Sequence, residues 1–269
     1  MNVPSVILFP TRVVSVLILN ALLWFSGYAH SELPGTTLPG TILKIKPAIV
    51  AVGTVQKTRR PPTQFSGTGF AVGDGRLVIT NAHVLPDVLD TQNNEQLVIF
   101  TGGGASTHSR NASVVALDKR HDLALLRIDG SPLPALTIGD SEWVLEGEPY
   151  AFTGFPIGVV LGHYPVTHRG IISAITPVVL PAPSSGDLSA KMIRRLRSPF
   201  NVFQLDAIAY PGSSGSPLYD FKSGEVVGVV NSVFVKETKE SILAKPSGIS
   251  YAIPAKYINK LLDKYYDKQ

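Results

Sequence analysis

Between Ala48 and Ile253 the chain reads as a succession of short apolar runs separated by turn residues, and this rhythm limits the fold more than any other feature. The runs are Ala48–Val55, Gly69–Val72, Leu77–Thr80, Leu97–Phe100, Ser113–Leu117, Leu123–Ile128, Tyr150–Thr153, Gly170–Ile175, Phe203–Ala207, Val226–Val230 and Ile249–Ile253. Their shortness and their Val, Ile, Phe and Tyr content favour strands, because branched and flat side chains suit a pleated, half-buried surface. Glycine (24) and proline (21) punctuate them. Many short strands with few helical patterns predict an all-β barrel or sandwich.

Two stretches break the rhythm. After Pro254, the residues Tyr257, Ile258, Leu261, Leu262 and Tyr265 recur at helical spacing, and a proline just ahead of a helix is well placed, so a C-terminal amphipathic helix is expected over 255–269. The segment Pro177–Pro199 is rich in Pro, Ser and Gly and then runs Lys191-Met192-Ile193-Arg194-Arg195-Leu196-Arg197. It reads as a surface loop with a short basic helix; its length leaves open a regulatory or substrate-contacting role.

Composition excludes several classes. With 44% hydrophobic and 16% charged residues the chain of 269 is neither disordered nor fibrous. The net charge of +4 is spread out, apart from Lys191–Arg197, whereas a nucleic-acid binder concentrates its basic residues. Cysteine is absent, so disulfides, zinc-thiolate sites and a cysteine nucleophile are ruled out.

The amino terminus carries Arg12, the apolar run Val13–Phe25 and the small residues that follow, in the order expected of a secretory signal peptide. Residues 1–31 are assigned to it, with cleavage after Ala29 or Ser31. The protein is then exported, to the periplasm or the outside, with no stable membrane span after removal. An uncleaved anchor is the alternative, although Asn20 interrupts a run already shorter than a comfortable span.

Three segments carry chemistry. Tyr210-Pro211-Gly212-Ser213-Ser214-Gly215-Ser216-Pro217-Leu218 sets a serine in a glycine-flanked turn that bares its hydroxyl and lets another backbone approach. In Leu77-Val78-Ile79-Thr80-Asn81-Ala82-His83-Val84-Leu85 an apolar strand runs into a histidine, and in His121-Asp122-Leu123-Ala124-Leu125-Leu126 an acid opens one. Each alone is weak. Together they supply what a serine nucleophile requires: a base to take its proton, and a carboxylate to orient that base.

With these words the chain resembles the trypsin-like serine peptidases, and among them the bacterial HtrA/Deg-type branch. Supporting matches are Ser66-Gly67-Thr68-Gly69-Phe70, Ile138-Gly139-Asp140-Ser141, Gly154-Phe155-Pro156, Gly170-Ile171-Ile172-Ser173, Phe203-Gln204-Leu205-Asp206-Ala207 and Ile249-Ser250-Tyr251-Ala252-Ile253-Pro254. The resemblance implies two six-stranded β-barrels with a site in the cleft between them. An N-terminal extension (32–40) would precede a first barrel (41–140) and a second (141–254), with a boundary near Gly139–Val144. It implies the triad His83, Asp122 and Ser214, an oxyanion hole from the N–H groups of Gly212 and Ser214, and hydrolysis of peptide bonds without cofactor or metal.

Two positions depart from the family pattern. Ser213 stands where the digestive enzymes have an acid, so activation by pairing with a new amino terminus is not expected. Ser216 replaces a second glycine. Ile208, six residues before Ser214, stands where enzymes cutting after Lys or Arg have Asp. With Val229, Val230, Asn231 and Ser232 as the neighbouring wall it implies a pocket for small or medium apolar side chains. The PDZ modules common in HtrA/Deg-type enzymes are not seen, and an oligomer is left open. Partners are polypeptide substrates; a non-catalytic binding protein and a serine esterase are the alternatives, the latter disfavoured by the order His, Asp, Ser.

Overall fold

Six strands close into a first antiparallel barrel: β1 (Ile49–Val55), β2 (Thr63–Val72), β3 (Leu77–Asn81), β4 (Gln96–Thr101), β5 (His108–Asp118) and β6 (Leu123–Ile128), paired in the order β1-β2-β3-β6-β5-β4. Six more close a second: β7 (Pro149–Gly154), β8 (Val166–Pro177), β9 (Asn201–Asp206), β10 (Pro217–Asp220), β11 (Val226–Asn231) and β12 (Ile249–Pro254), in the order β10-β11-β12-β9-β8-β7. The computed structural model describes residues 37–156, 163–178, 199–232 and 249–269. The signal-peptide assignment and the interior of the Pro177–Pro199 loop lie outside the described residues. Two six-stranded barrels followed by a C-terminal helix is the architecture expected above.

Barrel closure rests on two ladders between strands distant in sequence. β1 meets β4 with Ala51 opposite Phe100, and β7 meets β10 with Phe152 opposite Leu218. Closure leaves neither sheet with a free edge strand.

Each barrel has its own apolar cluster. Val50, Val78, Ile99 and Leu126 lie in the first, and Phe152, Phe203, Leu218 and Val230 in the second. A third cluster spans both, joining Phe70, Ile79 and Leu125 to Tyr219, Val226 and Val229. β3 and β11 are therefore buried along their whole length, which explains why their sequences run apolar without alternating. Each such side chain contributes about 1.5–3 kcal/mol on leaving water.

Two helices clasp the barrels together. α1 (Leu38–Ile45) starts at Thr37, whose hydroxyl accepts from the Gly40 N–H (3.4 Å), and the Thr41 hydroxyl donates to the Lys222 carbonyl in the β10–β11 turn (3.3 Å). α2 (Lys256–Tyr266) buries Tyr257, Ile258, Leu261 and Tyr265 on one stripe and touches β5 and β6 as well as β11 and β12. The expected helix thus packs on both barrels. Among the described residues no helix is long and apolar enough to cross a membrane.

Candidate active site

The antiparallel register of β3 and β6 pairs Asn81 with Leu123. His83 follows Asn81 by two residues and Asp122 precedes Leu123 by one, so both stand at the same end of this ladder. His83 lies in a short 3-10 turn, Ala82–Val84, tied down where the Ala82 N–H donates to the Asp122 carbonyl (3.1 Å). The Asn81 amide donates to that same carbonyl (3.0 Å). Asp122 itself has φ +55°, in the left-handed region, which a short polar side chain tolerates better than a branched one.

Three bonds end on the Asp122 carboxylate. Oδ1 accepts from the His83 backbone N–H (2.9 Å), and Oδ2 accepts from Asn231 Nδ2 (2.6 Å) and faces His83 Nδ1 (2.6 Å). A carboxylate offers only acceptors here, so His83 Nδ1 carries a hydrogen, and in the neutral imidazole Nε2 is then the acceptor. The His83 side chain is 27% exposed and that of Asp122 13%.

The serine turn comes from the second barrel and is held by the first. The Thr68 N–H on β2 donates to the Ser214 carbonyl (2.8 Å), and the Thr68 hydroxyl donates to the Gly212 carbonyl (2.7 Å) while accepting from the Phe155 N–H (3.0 Å). The Thr80 hydroxyl on β3 donates to the Thr68 carbonyl (2.7 Å). Within the turn the Ser213 N–H donates to the Tyr210 carbonyl and the Gly215 N–H to the Val230 carbonyl (each 2.9 Å). The N–H groups of Gly212 and Ser214 donate to no other described residue, and Gly212 holds φ +96°.

Ser214 Oγ faces Ser232 Oγ at 2.5 Å and accepts from the Ser232 N–H at 3.2 Å. Ser232 follows Asn231, whose amide is on Asp122, so the polar contacts Ser214–Ser232 and Asn231–Asp122–His83 are joined through the chain at 231–232. Among the described residues no hydrogen bond joins His83 Nε2 to Ser214 Oγ.

Ile208 is half-buried, and its neighbours are pinned by one hydroxyl: Ser250 Oγ donates to the Ala207 carbonyl and accepts from the Ala209 N–H (both 2.7 Å). Val229 and Val230 are fully buried in the apolar clusters. Asn231, named above as pocket wall, has its side-chain amide on the Asp122 carboxylate. Sequence reasoning gave no role to Asn231 at the acid, to Thr68 or to Thr80. The available signal was a polar residue ending the fully buried strand β11.

The other histidines have other surroundings. His121 faces the Asp118 carboxylate (2.6 Å) and stacks on Tyr257 at 4.0 Å. His163 sits against Phe65 and His168 against Phe152, and burial pushes both imidazoles below their ordinary range. Among the described residues no group of three or more His, Cys, Asp and Glu could hold a metal ion.

Two closed six-stranded barrels, a His–Asp couple on one and a braced serine turn on the other, define the chymotrypsin-like double-barrel class. Residues 67–229 match the trypsin-like peptidase domain, and the chain belongs to that family. It is 30% identical over 233 residues to the serine protease HTRA1A of Danio rerio, covering 84% of this chain and 40% of that protein. It is 32% identical over 188 residues to a probable periplasmic serine endoprotease, DegP-like, of Halomonas elongata, covering 70% of this chain and 32% of the relative. The chain thus spans well under half the length of these relatives. An HtrA-type protease solved with a tripeptide aligns with TM-score 0.59 at 24% identity, over 84% of this chain and 62% of its own. The serine endoprotease from Yersinia pestis aligns equally well (TM-score 0.59, 24% identity), over 86% of this chain and 66% of its own. These two likenesses bear on the fold.

Proposed function

We propose that the protein is a serine endopeptidase in which Ser214 is the nucleophile, His83 the general base and Asp122 the acid that orients it. The observation that supports this reading is the His83 Nδ1 contact to the Asp122 carboxylate, which also accepts from Asn231, the chain neighbour of the Ser232 that meets Ser214 Oγ. Ser214 Oγ attacks the scissile carbonyl carbon as its proton passes to His83 Nε2. The oxyanion accepts hydrogen bonds from the N–H groups of Gly212 and Ser214. His83 then gives the proton to the leaving amine, and water, activated by the same base, hydrolyses the acyl-enzyme.

Substrates are polypeptides of exported or envelope proteins. The basis is the apolar leader in residues 1–31, read as a secretory signal, and the similarity to a DegP-like protein described as periplasmic. Cleavage follows small or medium apolar residues, because Ile208 offers an apolar floor where a basic preference needs a carboxylate. Mass-spectrometric mapping of cuts in an unfolded polypeptide tests this. Wild-type cuts fall after Ala, Val and similar residues, and Ile208→Asp moves them toward Lys and Arg. The same cut sites from both proteins would remove Ile208 from the pocket.

A further inference from the structure

We propose that Ser232 is a positioning residue that holds the Ser214 hydroxyl away from His83, so that the resting site is latched. The inference rests on the reading of Ser214 as nucleophile.

Three observations combine. His83, Asp122 and Asn231 are fully assembled, so the base is oriented and ready. The backbone around Ser214 is braced by Thr68, Thr80 and Val230, so the turn is not displaced. Only the Ser214 side chain is diverted: its oxygen takes a bond from the Ser232 N–H and shares a hydrogen with the Ser232 hydroxyl. Ser214 is 3% exposed in this arrangement.

Both contacts oppose attack. The Ser232 N–H ties up one of the two lone pairs of the Ser214 hydroxyl and holds the oxygen toward Ser232. A hydrogen shared with Ser232 Oγ is not directed at Nε2 of His83. Attack therefore requires Ser214 to leave Ser232 and turn about its Cα–Cβ bond toward the imidazole, a rotation between staggered wells that needs no backbone movement. The N–H contact belongs to the main chain, so any residue but proline at 232 can make it. The hydroxyl contact belongs to serine or threonine only.

Removing the Ser232 hydroxyl should raise the population of Ser214 facing His83 by about fivefold to tenfold, which is what one neutral hydrogen bond is worth net. The test uses the full chain and a fluorophosphonate, followed by intact mass. In this reaction the Ser214 oxygen forms the bond to phosphorus, fluoride leaves and the proton goes to His83. We expect Ser232→Ala to raise the first-order labelling constant by that factor with the reagent's apparent affinity unchanged, and Ser232→Thr, which keeps a hydroxyl, to label at the wild-type rate. The plateau of the rate against pH should rise while its midpoint stays, because the latch acts on the hydroxyl and not on the imidazole. A Ser232→Ala variant that melts like wild type and labels no faster, with Ser214→Ala silent, overturns the latch and leaves the nucleophile standing. No label on wild type or on Ser232→Ala overturns both.

Discussion

Asp122→Asn lowers kcat by roughly 10⁴-fold while the protein stays folded. Asparagine is the substitution the backbone tolerates best, since position 122 has φ +55° and Asn adopts the left-handed region more readily than other non-glycine residues. Its carbonyl oxygen can still accept from the His83 backbone N–H. The amide nitrogen then stands where Oδ2 was, facing two donors, His83 Nδ1 and Asn231 Nδ2. His83 escapes the donor–donor conflict by carrying its hydrogen on Nε2, and so has no lone pair to take the Ser214 proton. Turnover of a fluorogenic peptide, with circular dichroism to verify folding, checks this. A kcat within tenfold of wild type contradicts the role given to Asp122.

Gly215→Ala destabilises the protein by about 3 kcal/mol and abolishes activity. Gly215 has φ +88°, and a Cβ there would stand 1.9 Å from the Thr68 carbonyl oxygen and 2.6 Å from the Thr80 hydroxyl. Thr68 is fully buried and bonded on all sides, to Ser214, Gly212, Phe155 and Thr80, so its strand cannot retreat. The serine turn would have to lift off the first barrel instead, taking Gly212 and Ser214 with it. For a chain of this size about 3 kcal/mol corresponds to a fall in Tm of roughly 6–12 °C. A variant with wild-type Tm and wild-type turnover contradicts the close approach of the two barrels at this point.

The barrels were legible in the sequence because strands such as β1, β3, β6 and β11 are buried nearly throughout, so their apolar runs mark strand positions well. Their lengths were less legible. β5 begins at His108, five residues before the run Ser113–Leu117, because pairing of Ser109 to Phe100 and Arg110 to Ile99 extends the ladder through polar residues. β10, Pro217–Asp220, escaped notice as a strand: it is four residues long, opens on proline and adjoins the serine turn. Its place is set by β7 on one side and β11 on the other, which is tertiary information.

The candidate site divides in the same way. His83, Asp122 and Ser214 stood out because their residue types and strand settings suit one another chemically. Asn231 did not, because a polar residue ending an apolar run reads equally as wall or as partner until the register of β11 brings it to Asp122. Thr68 reads as one threonine among many, and three of its four bonds, to Ser214, Gly212 and Phe155, depend on the second barrel docking against β2. Ser232 carries no local signal for its contact with Ser214, which arises where the end of β11 meets the serine turn.

An activated Ser214 is measured most directly by intact mass after incubation of the purified protein with a fluorophosphonate, alongside Ser214→Ala. One adduct on the wild type, located on the Ser214 peptide, and none on the variant is the predicted result. An unmodified wild-type protein, or an adduct that persists in Ser214→Ala, would contradict the account.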